Sequence, residues 1–178
     1  MQHTNLWAPW RMAYLRELDR RAHDDGAATA IDAASASSFL QEYWLNAERD
    51  NQQHVIARNE HGMILLNRYP YANGHLLVAL GDARPRLLDY EPPQRAAFWL
   101  LVELAADLME RALNPQGINL GINQGEAAGA GVAGHLHAHL VPRWNGDTNF
   151  MAAVAAVRVI PDSLEAMAEM YRSHMPGP

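Results

Sequence analysis

Residues 134–144 read Gly-His-Leu-His-Ala-His-Leu-Val-Pro-Arg-Trp, so His135, His137 and His139 recur at every second position in a chain with 9 histidines among 178 residues. In a strand, alternate side chains point to opposite faces. The three imidazoles then form one row, presented to a surface or cleft, while Leu136, Ala138 and Leu140 form the other and pack under a helix. Three readings fit such a row. One is a histidine-rich solvated face. Another is a metal site, in which two histidines at i and i+2 share a zinc with a third ligand nearby. The third is catalysis at phosphorus: imidazole, with a reference pKa of ~6.5, attacks a phosphate ester or anhydride, and a second histidine steadies the oxygens or the leaving group.

The segment before the row, "GEAAGAGVAG" (125–134), has four glycines in ten residues. Glycines let backbone N–H groups converge on an anion. The loop leads into a strand and not a helix, so it is neither a P-loop nor a dinucleotide fingerprint. A plain flexible loop is the other reading.

Composition narrows the chemistry. Cysteine is absent, which excludes disulfides, thiolate metal sites and a cysteine nucleophile. All 14 basic residues are arginine, so Schiff-base chemistry and a P-loop lysine are excluded too. The net charge of −6 argues against a broad nucleic-acid footprint or an anionic membrane surface, but leaves room for a small charged substrate. The start, "MQHTNLWAPWRMAYLREL", lacks the apolar core of a signal peptide, and "AAFWLLVELAADLM" is too short and too charged to span a bilayer. A cytoplasmic, soluble protein is expected.

The elements that must hold the row follow from periodicity. Met63–Leu66 and "GHLLVAL" (74–80) read as two antiparallel strands joined through "NRYPYANG". Residues 92–113 place Ala97, Leu101, Leu104, Leu108 and Leu113 along one stripe of a helix opened by prolines and closed near Asn114-Pro115. Residues 117–123 and 135–141 read as further strands. A last helix within 161–175 has Asp162 as N-cap with Glu165 three residues on, resembling a capping box. Residues 6–18 read as an arm whose Trp7 and Trp10 dock on the domain or a partner subunit, and residues 22–38 as a loose connection. The division is therefore residues 1–52, an N-terminal arm and irregular connection, and 53–178, an α+β domain with an antiparallel sheet, flanking helices and a C-terminal helix.

The stretch His135–Val141 fits the His-φ-His-φ-His-φ-φ signature of the histidine triad (HIT) superfamily, with Ala138 as a small φ. "LLNRYPYANGHLLVAL" resembles that family's first hairpin and "GINLGINQGEAAGAGVAG" its loop before the triad. "LWAPWRM" and "PRWNGDTNFM" resemble a bacterial branch that includes the diadenosine tetraphosphate phosphorylase-like proteins. The resemblance spans roughly residues 6–165 and is weakest over 22–52. It implies a HIT-like fold with the sheets of two subunits joined across a homodimer, and a nucleotide substrate. It also implies roles: His137 attacks the α-phosphate and forms a nucleotidyl-histidine, His139 hydrogen-bonds the phosphate, and His135 holds the row. Asn67 falls where a residue contacts the ribose, His75 beside the active site, and Asn123 at the phosphate and leaving group. As plain residues, Asn67 and Asn123 can equally serve turns at strand ends, and His75 can be a packed strand residue.

Two departures from the family pattern matter. Many members carry a Cys-x-x-Cys that helps bind zinc; here Ser37 and Leu40 stand in those places, and "ALGDARP" lacks the strand-end histidine that often completes that site. No metal and no other cofactor is expected. Many members have a Ser, Thr or Gln near the leaving group just before the triad; here Gly131 and Val132 border the substrate, so the source of a leaving-group proton is open. Arg143 can pair with substrate phosphates or make a structural ion pair, and Trp144 can stack on a base or close a subunit interface. The resemblance thus implies a nucleotidyl hydrolase or transferase acting on nucleoside polyphosphates, diadenosine tetraphosphate foremost, with phosphate or water as acceptor. The alternatives are a purine nucleoside phosphoramidate hydrolase and a non-catalytic nucleotide- or metal-binding module.

Overall fold

The computed structural model describes residues 38–147 and 160–175. The expectations for the arm at 6–18, for residues 22–37 and for 148–159 lie outside the described residues. The elements run α1 (Phe39–Leu45), β1 (Val55–Arg58), β2 (Gly62–Leu66), β3 (Leu76–Leu80), α2 (Pro92–Leu113), β4 (Gly117–Ile122), β5 (His137–Arg143) and α3 (Leu164–Ser173). The strands form one antiparallel sheet in the order β1-β2-β3-β5-β4. This is the expected α+β architecture.

The apolar runs of β2 and β3 are buried along their whole length, because the sheet is covered on both faces here. Their connection closes with the Asn67 N–H donating to the His75 carbonyl at 2.9 Å. Gly74 turns the chain at φ +80, where a Cβ would lie 2.4 Å from Leu113 Cδ1. Helix α2 starts at a reciprocal cap between Glu91 and Gln94 with proline in its first turn, and stops at Asn114, left-handed at φ 44.

One face of the sheet carries the main core. Ile64, Leu66, Leu76, Val78, Leu136, Ala138 and Leu140 meet Phe98, Leu101, Ala105, Leu108 and Met109 of α2 and Met167, Ala168 and Tyr171 of α3. Burying each large apolar side chain there contributes roughly 1.5–3 kcal/mol. Leu104 and Leu113, expected in the stripe, are only partly buried at its margin.

The other face carries a smaller cluster, Leu40, Val55, Met63, Leu65, Leu77 and Ala79, with Tyr43 and Trp44 against it. Helix α1 supplies Leu40, Tyr43 and Trp44. Arg58 pins this helix: it pairs with Asp50, with Nε 2.6 Å from Oδ2, and donates to the carbonyls of Tyr43 and Trp44 at the helix C-terminal end. A cation at that end satisfies orphan carbonyls and the helix dipole together. Trp44 lies directly over Gly81, where a Cβ would stand 2.1 Å from its indole.

Three expectations need correction. The stretch read as irregular up to residue 52 contains α1, a helix of 7 residues too short to show a clear period. The last helix is capped by Ser163, whose hydroxyl accepts from the Ala166 N–H at 3.1 Å, while Asp162 accepts only from Ser163 N. The strand read as 135–141 runs His137–Arg143, since the Leu136 N–H is taken by the Arg84 carbonyl at 2.8 Å.

Candidate active site

The strand β5 lies between β3 and β4, with Leu77 opposite His139 and Ala79 opposite His137. Cross-strand partners share a face, so the histidine row lies on the side of the smaller cluster and α1. The row was expected to face a surface or cleft. Instead His135 is 0% and His137 4% exposed, and only His139 is half-buried. The physical reason is α1, which covers the row where it begins.

The hydrogen-bond partners assign each imidazole proton. His135 Nε2 lies 2.7 Å from the Leu80 carbonyl, so Nε2 carries the hydrogen. Its Nδ1 then accepts from the Ser38 hydroxyl at 2.8 Å. Ser38 Oγ in turn accepts from the Gln41 N–H as the N-cap of α1. His137 Nδ1 is 2.9 Å from the His135 carbonyl and must donate to it. That leaves the lone pair of a neutral His137 on Nε2.

His139 is assigned through a longer chain. The Tyr69 N–H donates to Asn67 Oδ1 at 2.9 Å, which fixes the amide with Nδ2 facing His75 Nδ1 at 3.2 Å. The Tyr71 N–H also donates to His75 Nδ1, at 3.1 Å. With donors on Nδ1, the hydrogen of His75 sits on Nε2 and points at His139 Nδ1, 3.0 Å away. His139 therefore holds its own hydrogen on Nε2. Tyr71 lies over His139, with ring centroids 5.9 Å apart and planes within 16°.

Burial pushes all three triad histidines toward the neutral form. His135 and His137 are held below the usual imidazole value chiefly by burial. His139 is brought down to about 4, first by burial and second by the neighbouring His137, whose ring centroid is 4.8 Å away. The arrangement therefore presents a neutral nucleophilic nitrogen beside a neutral N–H donor.

The remaining candidates fall at different distances from this centre. His75, wholly buried, joins it directly, and Asn67 joins through His75. Both polar atoms of the Asn67 side chain are engaged within its loop. Asn123 directly follows Ile122, the last residue of β4, which pairs with Ala138 between His137 and His139. Gly131 is exposed and Val132 half-buried, and the Val132 carbonyl accepts from the His135 N–H at 3.2 Å. The first half of the glycine-rich loop closes on itself: Ala128 and Ala130 donate to Gly125 O, and Gly129 to Glu126 O. Arg143 is a structural ion pair, bidentate to Asp147 at 2.6 and 2.8 Å and bonded to Asn119 Oδ1 at 2.9 Å.

Sequence reasoning missed Ser38 and Tyr71. Ser38 meets His135 across 97 positions of chain, a pairing no local pattern reports. Tyr71 had a signal, an aromatic residue after Pro70 in the loop leading to His75. The residues at the family's zinc position do not fit a metal. Ser37 lies outside the described residues, Leu40 is fully buried among apolar side chains, and both nitrogens of His135 are engaged.

The sheet, the long helix and the histidine row define a HIT domain, and the family model of that name matches residues 48–146. The chain belongs to this family. It is 34% identical over 163 residues to the AP-4-A phosphorylase of Mycobacterium tuberculosis (strain ATCC 25618 / H37Rv), covering 92% of this chain and 80% of that one. It is 31% identical over 93 residues to the asymmetrical bis(5'-nucleosyl)-tetraphosphatase of Schizosaccharomyces pombe, covering 52% of this chain and 50% of that one. Among solved structures, a zinc-bound histidine triad family protein from Mycobacterium smegmatis matches with a TM-score of 0.61 and 28% identity, over 75% of this chain and 91% of that one.

Proposed function

We propose that the chain is an enzyme that cleaves nucleoside polyphosphates, diadenosine tetraphosphate foremost, by passing a nucleotidyl group through His137. The observation that carries this is the His137 imidazole: Nδ1 is tied to the His135 carbonyl and Nε2 keeps its lone pair. The names of the relatives above, a phosphorylase and a tetraphosphatase of dinucleotides, support the substrate class.

In this reading, His137 Nε2 attacks the α-phosphorus. An N–P bond forms as the P–O bond to the leaving polyphosphate breaks, and the electron pair leaves with that oxygen. His139 Nε2–H donates to a non-bridging oxygen and meets the charge that develops there. Phosphate or water then attacks the same phosphorus and releases His137. His135 acts through its carbonyl, and Ser38 holds it in the required tautomer. Asn123 assists at the attacked phosphate, and Gly131 and Val132 border it with backbone N–H groups that no described residue accepts. Asn67 acts on His75 before it acts on any ribose.

The enzyme works as a homodimer. The edge strand β4 is largely exposed on both faces, with Leu120 47% exposed, and Leu100 on α2 is 64% exposed. Light scattering should return twice the chain mass. No helix among the described residues is long and apolar enough to cross a membrane.

The test is product analysis with diadenosine tetraphosphate, with and without inorganic phosphate. ADP plus ATP formed only with phosphate identifies a phosphorylase. AMP plus ATP without it identifies a hydrolase. No turnover of either kind, by protein of native fold, overturns the proposal.

A further inference from the structure

The tautomer chain has a consequence for which bonds this site can break, given that His137 is the nucleophile. For His139 to protonate a leaving group, it must give up its Nε2 hydrogen and recover one at Nδ1. Among the described residues, the neighbour placed to supply it is His75 Nε2, at 3.0 Å. His75 has no second proton to keep, because its Nδ1 already accepts from the Tyr71 N–H and faces Asn67 Nδ2. Passing the proton on would leave His75 an anion in a fully buried position, which costs several kcal/mol. Gly131 and Val132, just before the triad, carry no side-chain acid. Tyr71 presents its ring face to His139.

We infer that the site is restricted to leaving groups that depart as stable oxyanions, and that Asn67 is a specificity-determining positioning residue, acting through the tautomer of His75. An anhydride oxygen or an acidic phenol leaves with the electron pair of the broken P–O bond and needs no proton. An amine bound to phosphorus differs: breaking P–N without a proton expels an amide anion. The phosphoramidate reading of the sequence is therefore disfavoured by the proton inventory of the site, not by its shape.

The test compares the full-length protein on two adenylyl donors, the 4-nitrophenyl ester of AMP and an N-alkyl adenosine phosphoramidate. Nitrophenolate should leave at least ~10²-fold faster in kcat/KM, the size of a missing general acid. A smaller ratio overturns the inference, and a small ratio that Tyr71→Phe raises would place the acid on Tyr71. Neutral-quench mass spectrometry of the nitrophenyl reaction keeps the two levels apart. Adenylylated His137 with a small ratio leaves the proposed function standing and removes this inference; no adenylylation removes both. Asn67→Asp reads the lock itself. Its carboxylate can accept a hydrogen from His75 Nδ1, so that His75 holds protons on both nitrogens, and the amine-to-aryl ratio should rise at least ~10-fold within the range a general acid supplies. An unchanged ratio in folded Asn67→Asp protein rules out the lock. Should that variant not fold, the wild-type ratio decides alone.

Discussion

The two faces of this sheet use opposite strategies. On the α2 and α3 side, apolar side chains of many elements fill one continuous core. On the α1 side, a small apolar cluster stops where the histidines begin, and there directed hydrogen bonds and ring contacts join the side chains. The first face tolerates loss by degrees; the second depends on where individual protons sit. Damage to the first should therefore appear as stability, and damage to the second as rate.

The largest effect expected is on the polar face. His137→Ala should lower turnover of diadenosine tetraphosphate by about 10⁴-fold or more, as loss of a nucleophile does, with an unchanged far-ultraviolet dichroism spectrum. Turnover near wild type would end the comparison. On the apolar face, Leu108→Ala should cost ~2–5 kcal/mol in urea unfolding, because Leu108 is 0% exposed in the main core. Its kcat per folded molecule should stay within about twofold, since no directed bond of the site is touched.

A smaller effect is expected at Ser38, which serves both stability and the triad. Ser38→Ala removes a helix cap, costing ~0.5–2 kcal/mol, and releases His135 Nδ1, so kcat should also fall several-fold. A loss of stability with kcat intact would make Ser38 a cap and nothing more. Acid should act on the same face. The three triad histidines have folded pKa values below the unfolded value of ~6.5. Below that value the unfolded chain binds protons that the folded one refuses. The stability these groups contribute is thus present above pH ~6.5 and lost as pH falls toward the His139 value of about 4. Urea midpoints taken near neutrality and near pH ~5 should show the drop. The smallest effect is at Arg143→Gln, which breaks an exposed pair worth ~0–1 kcal/mol and should leave KM unchanged. A raised KM would return Arg143 to the substrate.

Legibility in the sequence follows the same division. The apolar face follows periodicity: α2 runs Pro92–Leu113 as its stripe and prolines indicate, and β2 and β3 follow their unbroken apolar runs. The histidine row was legible as a row, because alternation is a local property. Its burial was not, since that depends on α1 and Ser38, far away in the chain. The resemblance singles out Asn67 for the ribose; that its amide nitrogen faces His75 is shown only by three-dimensional placement.

Gly81 takes no part in the chemistry, yet Trp44 rests on its bare backbone. A single added methyl there would displace the indole, and with it the helix that carries Ser38. Among natural variants of this protein, Gly81 should accordingly be as intolerant of change as the histidines themselves. A patient reading variation alone would count it as part of the active site.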